Sequence, residues 1–333
     1  MKNAILKLIS TLNLFPLFYG FTKNTATIFM LHRIAPMQMP NRKIHTELLY
    51  DYFNYLKKKK YHVISLNQYI GALINGDTTY KTIVFTVDDG YRDFYQYAYK
   101  VFRDFGYPAT IFITSDFIEN KLFFWWNAIE YILNTTARTD IELSIIGKEK
   151  ASIETNGQKS AIANKITSYC KTISNQDKLE LIQKLAESLG VDISDQPKEE
   201  YEPLRWEEIR EMRQNGIDFY PHTKTHPILS KISMEEKVTE VTQPRRLIEE
   251  HLGGEADIFC YPNGQPEDFD EETISALRSA NYKAAVVGYD GFNYTNANND
   301  LFRIMRFGIP AELTLFKQYI CGLEGFKRKI LKM

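Results

Sequence analysis

The chain has 333 residues, with 41 Lys+Arg against 42 Asp+Glu, six His, three Cys, 21 Phe, 21 Tyr and three Trp. A hydrophobic share of 44% excludes a disordered or fibrous chain and suits one large domain with an insertion or two ordinary domains. A formal net charge of −1 gives no general attraction to phosphate backbones, so no nucleic-acid partner is expected. Cys170, Cys260 and Cys321 are odd in number, scattered and without CxxC spacing, which excludes a disulfide framework and points to a reducing, cytoplasmic setting.

In chain order, residues 1–24 form an amphipathic N-terminal segment. Ile5, Leu6, Ile9, Leu12 and Phe15 fall at helical spacing, but Lys2, Lys7, Asn13 and Pro16 make the run too short and too interrupted to span a bilayer. No small-residue cleavage site follows the apolar stretch. The chain closes on a basic apolar run, Gly325 to Met333 (GFKRKILKM). These ends read either as two amphipathic elements in peripheral contact with the inner face of an anionic membrane, or as a helix packed on the domain and a basic tail.

Beyond residue 24, β-branched and aromatic runs alternate with helical patterns, the signature of βα units and a parallel sheet. Eight strands are predicted: Thr27 to Leu31, Tyr61 to Ser65, Thr82 to Val87, Ala109 to Ile113, Ile217 to Tyr220, Asp257 to Cys260, Ala284 to Val287 and Arg303 to Phe307. Helices are predicted at Thr46 to Lys60, at Ser65 to Ile74, and after Ser233, where Glu236 three residues on makes a capping box. Pro244 predicts a kink or break in that last helix. The rhythm fails at about 120–201, where an aromatic cluster (Phe123, Phe124, Trp125, Trp126), an alternating segment at 141–146 and Lys/Glu-rich helical patterns indicate a mainly helical insertion. The aromatic cluster either lines a sugar groove or forms the seam where the insertion docks. Without the insertion, about two hundred residues remain, enough for a compact or distorted barrel.

Three constellations carry chemistry. In TIVFTVDDGY a buried strand ends on Asp88 and Asp89, an expensive juxtaposition of two carboxylates at the rim of a core. Neighbouring strand residues face opposite ways, so both can reach one site only if the chain bends at Gly90; the alternative is a plain Asp-Gly turn. In YPHTKTH, His222 and His226 are four apart, which predicts two rings on one face of a helical turn, able to reach one ion. One carboxylate with two imidazoles is a three-ligand set with room for water, the layout of a catalytic metal. The third, FCYPNGQ, is a turn after a strand whose backbone N–H groups could serve an oxyanion.

In order and content these motifs resemble the polysaccharide deacetylase family, also called NodB-homology or carbohydrate esterase family four proteins. The resemblance covers most of Thr25 to Asn120 and Pro203 to Pro310, and takes in PATIFI (Pro108 to Ile113) and LRWEEIREMRQNGIDFYPHT (Leu204 to Thr223). It implies an α/β fold, a distorted (β/α) barrel spanning 25–333 as a single domain interrupted at about 120–201. It also implies a divalent metal, usually zinc, and hydrolysis of an acetamide on a sugar. By motif matching Asp88 is the general base, and Asp89, His222 and His226 are the metal ligands. Two departures stand out: the third motif, Cys260-Tyr261-Pro262-Asn263, lacks the family's Arg, and no Leu-X-His occurs near the C-terminus to supply the acid histidine. Thr27 to Ile34 (TIFMLHRI) resembles the early Tyr-His motif of the branch that includes poly-N-acetylglucosamine deacetylases, which makes His32 the candidate acid; a structural histidine at a strand end is the alternative. Arg306 is the candidate replacement for the missing Arg, and Tyr261 and Asn263 are the candidates for substrate or oxyanion contact. The expected activity is metal-dependent deacetylation of an N-acetylated saccharide, a polysaccharide or its lipid-linked precursor. The alternatives are a non-catalytic glycan-binding or scaffolding protein on the same fold and an amidohydrolase of small non-sugar amides.

Overall fold

The computed structural model describes residues 2–35, 44–143, 149–194 and 198–331. Eight parallel strands organise it: β1 (Ala26–Leu31), β2 (His62–Val63), β3 (Thr82–Val87), β4 (Ala109–Ile113), β5 (Ile217–Pro221), β6 (Ile258–Cys260), β7 (Ala284–Val286) and β8 (Phe307–Gly308). β1 pairs with β3 from Ala26 opposite Thr82 to Leu31 opposite Val87. The other edge of β3 is divided, its start taken by β2 and its end by β4. β4 continues to β5, β8 lies on the far side of β1, and β6 pairs with β7. A parallel bridge from Val286 to Ile304 leads from β7 back toward β8. The result is an α/β fold of the distorted (β/α)-barrel kind. Every position of β3 and β4 is buried, as expected of parallel strands covered on both faces.

The last strand is shorter than the sequence predicts. Arg306 turns its side chain into the interior, and its N–H donates to the Tyr289 carbonyl, so the regular ladder begins only at Phe307.

Helices cover the strands: α1 (Lys2–Thr11), α2 (Thr46–Lys58), α3 (Leu66–Asn75), α4 (Tyr99–Phe105), and later α8 (Trp206–Gln214), α9 (Met234–Leu252), α10 (Glu271–Ser279), α11 (Leu313–Ile320) and α12 (Leu323–Leu331). Ser65–Gln68 and Ser233–Glu236 form complete capping boxes at the starts of α3 and α9. Of the kink or break expected at Pro244, the break does not occur. α9 runs through the proline, which is buried, and packs on α10 and β5. Tertiary burial outweighs the loss of one helical hydrogen bond.

Between β4 and β5, α5 (Trp125–Thr135), a hairpin of Asp140–Leu143 with Glu149–Ser152, α6 (Asn156–Cys170) and α7 (Asn175–Leu189) build a second hydrophobic cluster around Ile129, Ile132, Ile166, Ile182 and Leu185. Of the alternating segment 141–146, the last three residues lie outside the described residues. Phe117, Phe124 and Tyr91 join this cluster to the barrel, with Phe117 and Phe124 ring centroids 4.3 Å apart.

Candidate active site

All eight strands point the same way, so the residues after β1, β3, β5, β6 and β7 collect at one rim, where barrel folds of this kind carry their chemistry. At the end of β3 the chain bends as the Asp-Asp-Gly sequence requires: Asp89 has φ 79° and Gly90 φ 92°. A Cβ on Gly90 would meet Ile113 and Ile118 side-chain atoms at 3.0 Å, so the bend also needs the missing side chain. The left-handed residue at Asp89 sends the two adjacent carboxylates to different partners.

Asp88 faces inward. Arg306, 1% exposed, donates Nη1 to Asp88 Oδ1 at 2.8 Å and Nη2 to Asp88 Oδ2 at 2.9 Å. The guanidinium is itself fixed, with Nε donating to the Val287 carbonyl (2.9 Å) and Nη1 to Thr86 Oγ1 (2.9 Å). Burial raises the cost of ionising Asp88, but the Arg306 charge and its paired hydrogen bonds outweigh this and hold the carboxyl below the usual carboxylate range. Arg306 thus occupies the position of a charge partner to Asp88, 218 positions away in sequence and downstream of the motif that lacks an arginine.

Asp89 faces the two imidazoles. Its Oδ1 is 3.6 Å from His222 Nε2 and 3.6 Å from His226 Nε2, and all three side chains are buried. The helical turn expected for His222 to His226 is not formed; the segment is a loop in which Thr223 (φ 66°) and His226 (φ 59°) are left-handed. The rings converge because the loop is pinned from outside. Glu240 on α9 accepts from the Lys224 and Thr225 N–H groups (2.8 Å each) and from Thr225 Oγ1 (2.6 Å), and Thr223 Oγ1 accepts from the His226 N–H (2.9 Å).

His222 Nδ1 lies 2.8 Å from the Cys260 carbonyl. A carbonyl only accepts, so Nδ1 carries the proton and Nε2 is aimed at Asp89. His226 stacks edge-on under Trp126 with centroids 4.6 Å apart, and its Nδ1 is buried without a hydrogen-bond partner. Burial, then the neighbouring His222, push His226 down to about 3, so its ring is neutral. His222 is pushed up: burial opposes its charge, but the Cys260, Asp89 and Asp88 acceptors prevail.

This set fits a divalent cation. Ligands about 2.0–2.1 Å from a tetrahedral centre lie roughly 3.3–3.4 Å from one another, close to the observed 3.6 Å separations. The His226 ring is neutral, and the His222 Nδ1–H donates to a carbonyl, which aims Nε2 into the site, as is usual behind metal-ligating histidines. Asp88, His222 and Cys260 also lie within reach of one another, but there the Arg306 guanidinium already supplies the positive charge, donating to Cys260 Sγ at 3.2 Å.

A cavity of about 340 Å³ opens over this centre. His32, at the end of β1, lines it with its side chain 47% exposed and Nε2 3.9 Å from Asp88 Oδ2. Asn263 (φ 56°) lines it as well, and its Nδ2 is buried without a partner. Tyr261 does not. Its ring stacks on Phe269, its hydroxyl donates to the Phe302 carbonyl (3.0 Å) and its N–H donates to the Val286 carbonyl (3.3 Å), so neither donor is free for an oxyanion.

Two members of the aromatic cluster, and two residues that sequence reasoning did not single out, Thr167 and Lys171, complete the walls. The insertion contributes Trp125 and Trp126 from α5 and Thr167 and Lys171 from α6 or its end, while Phe123 and Phe124 stay in the core. The aromatic cluster is therefore divided between cavity wall and docking seam. Tyr91, just after the Asp-Asp-Gly bend, accepts from Asn127 Nδ2 (2.6 Å) and Trp126 Nε1 (3.2 Å), which ties the insertion to the carboxylate turn. Nothing in the local sequence of Tyr91, Asn127 or Glu240 signals these long-range contacts.

Residues 75–285 match the sequence profile of the family described as polysaccharide deacetylase. A Bacillus subtilis protein assigned to the polysaccharide deacetylases, YxkH, is 27% identical over 88 residues; the match spans 26% of this chain and 30% of that relative's length. Among solved structures, the Streptococcus pyogenes deacetylase PplD in complex with acetate superposes with TM-score 0.58 at 18% identity, covering 88% of this chain and 96% of that one. IcaB from Ammonifex degensii superposes with TM-score 0.58 at 14% identity, covering 90% and 97%. At such identities these two likenesses speak to the fold, and the family profile, extending over more than half of the sequence and across both the carboxylate and histidine motifs, decides the membership: the chain belongs to the polysaccharide deacetylase family.

Proposed function

We propose that this protein is a metal-dependent deacetylase that hydrolyses the N-acetyl group of a sugar in a polysaccharide or its lipid-linked precursor. The observation that carries the reading is the division of labour between adjacent carboxylates, Asp88 on a guanidinium and Asp89 on two imidazoles. A divalent cation held by Asp89, His222 and His226, zinc by the chemistry of the donor set, would supply polarisation of the acetamide carbonyl and acidification of a water.

The chain's own residues do the rest. Asp88, ionised and fixed in orientation by Arg306, accepts the proton of the attacking water. The water oxygen bonds to the acetamide carbon, and the charge on the former carbonyl oxygen develops beside Asn263, whose unpartnered Nδ2 is available to it. The C–N bond breaks as His32, half-exposed at the cavity mouth, gives a proton to the sugar nitrogen, releasing amine and acetate. Trp125 and Trp126 offer flat faces for a sugar ring, and Thr167 and Lys171 offer polar contacts beyond it.

The position of His32 over the cavity supports the enzyme against a non-catalytic glycan binder, as does Arg306 on Asp88. The reading places the protein in the cytoplasm with peripheral contact at the inner face of the membrane through its termini. Acetate release from N-acetylated nucleotide sugars, lipid-linked sugars, oligosaccharides and small non-sugar amides, with and without chelator, tests it. Chelator-sensitive release from a saccharide is expected. Release from none of them returns the protein to glycan binding, and release from small amides alone makes it a general amidohydrolase.

A further inference from the structure

A second cavity lies in the layer built from the two ends of the chain. The 3₁₀ segment Phe15–Thr22 and helix α12 pack together around Phe15, Leu323 and Cys321, joined by Leu6 of α1. Between this layer and the 291–305 loop is a space of about 640 Å³, walled by Phe21, Phe292 and Tyr294 and bearing the cations Lys23, Arg328 and Lys329. No carboxylate lines it. Arg328 is partly engaged, donating Nη1 to the Asp290 carbonyl at 3.2 Å with Glu324 Oε1 3.7 Å from its Nε, whereas Lys23 and Lys329 have no ion pair among the described residues.

Two independent features set this layer apart. The first is charge: residues 1–23 and 313–333 hold eight of the 41 Lys+Arg but one of the 42 Asp+Glu, Glu324, so the ends carry a net +7 and the remainder a net −8. The second is apolar exposure. Of ten exposed large hydrophobic residues among those described, Leu8 (58%), Leu12 (57%), Leu17 (74%) and Ile330 (60%) belong to these two ends, and Tyr294 to the cavity wall. No helix among the described residues is long and apolar enough to cross a membrane. Exposed leucines on the same two chain ends as cations without an ion pair among the described residues, Lys23 and Lys329, are the pattern of an element that lies on a bilayer rather than in it.

We propose that the terminal layer is a binding surface for an anionic lipid bilayer, in which the cavity takes the phosphate headgroup of one lipid on Lys23, Arg328 and Lys329 while Leu17 and Ile330 enter the interface. It rests on the peripheral placement given above and names the residues and lipid chemistry responsible. Soluble phosphate would use the same cations but not the leucines, and the exposed leucines favour the lipid.

Sedimentation with phosphatidylcholine vesicles, with and without phosphatidylglycerol, tests the surface on the full-length protein. Binding is expected only with phosphatidylglycerol and is expected to weaken with salt. Lys23→Gln/Lys329→Gln, at two residues with no ion pair among the described residues, should weaken vesicle binding roughly 30-fold, at about 5-fold per cation. Leu17→Ser/Ile330→Ser should weaken it as well. Acetate release from a soluble oligosaccharide should be unchanged in both, since none of the four touches the active-site cavity. Equal binding to neutral vesicles, full binding by the lysine variant, or displacement by inorganic phosphate with no effect of the serine variant would each overturn the proposal. Vesicle binding without acetate release would sink the deacetylase reading and leave this one standing.

Discussion

The Arg306–Asp88 pair makes a quantitative prediction. Both partners are buried and the contact is bidentate, so removing one leaves an uncompensated charge in the interior. Arg306→Met, similar in length and apolar, should cost about 3–5 kcal/mol of stability. At about 2.1 cal/mol/K per residue, 333 residues unfold with an entropy of roughly 0.7 kcal/mol/K, so Tm should fall by about 4–7 °C. In an Asp88→Asn background no carboxylate remains to be stranded, and the same Arg306→Met change should cost only about 1–2 kcal/mol, a coupling of roughly 2–3 kcal/mol. Denaturant and thermal unfolding of the two single variants and the double variant, without added metal, give the cycle. If Arg306→Met costs the same in both backgrounds to within about 0.5 kcal/mol, the two side chains are not energetically coupled and the account of how Asp88 is held ionised and oriented is wrong.

Asp88→Asn should retain metal and lose most acetate release, whereas His226→Ala should lose both, as read by metal content after gel filtration and by acetate assay; equal turnover in Asp88→Asn refutes the base assignment. His32→Ala should lower turnover roughly 10²- to 10⁴-fold with no change in Tm, because its ring is half-exposed; an unchanged rate returns His32 to structure. Lys178, buried under the Trp125 ring with no carboxylate partner among the described residues, is pushed down to about 8 by burial. Below that pH both folded and unfolded chains carry the charge and the burial cost is felt in full. Between about 8 and the unfolded value near 10.4 the unfolded chain binds the extra proton, so stability rises with pH. Lys178→Met should therefore stabilise the protein by up to roughly 3 kcal/mol at pH 7, with the advantage shrinking as pH rises toward 10. A wild-type-to-variant difference that is flat in pH would refute the buried charge.

The parallel strands were legible because strands buried on both faces read as unbroken apolar runs, and β3 and β4 match their expected bounds residue for residue. Capping boxes were legible because they are local. What the sequence hid is whatever depends on a remote partner. Spacing of four suggested a helical turn for His222 and His226, yet the rings converge through two left-handed residues and through Glu240, a carboxylate on a helix whose surrounding sequence looks like any solvated charged stretch. Lys178 likewise sits in a Lys/Glu-rich helical pattern that reads as surface but is buried. Arg306 could be named as the replacement for the missing Arg, but not its full burial or its bidentate geometry, which depend on a carboxylate 218 positions away.

The carboxylate pair shows why composition alone could not assign roles. Asp88 and Asp89 are the same residue type, adjacent, and nearly equally buried, at 2% and 4% exposure. Had the chain stayed extended, the strand alternation would have sent one of them away from the site. The left-handed conformation at Asp89, unfavourable for a residue with a Cβ and tolerated because Gly90 lets the turn close against Ile113 and Ile118, keeps both at the rim while giving them different neighbours. Asp88 then meets a cation that cannot lose its proton, and Asp89 meets two rings that can. A carboxylate beside a permanent guanidinium is held ionised and in one orientation, which suits a proton acceptor; a carboxylate beside two imidazoles completes a donor set, which suits a metal. The difference in role follows from one backbone dihedral and from which side chains the barrel brings to each face of it.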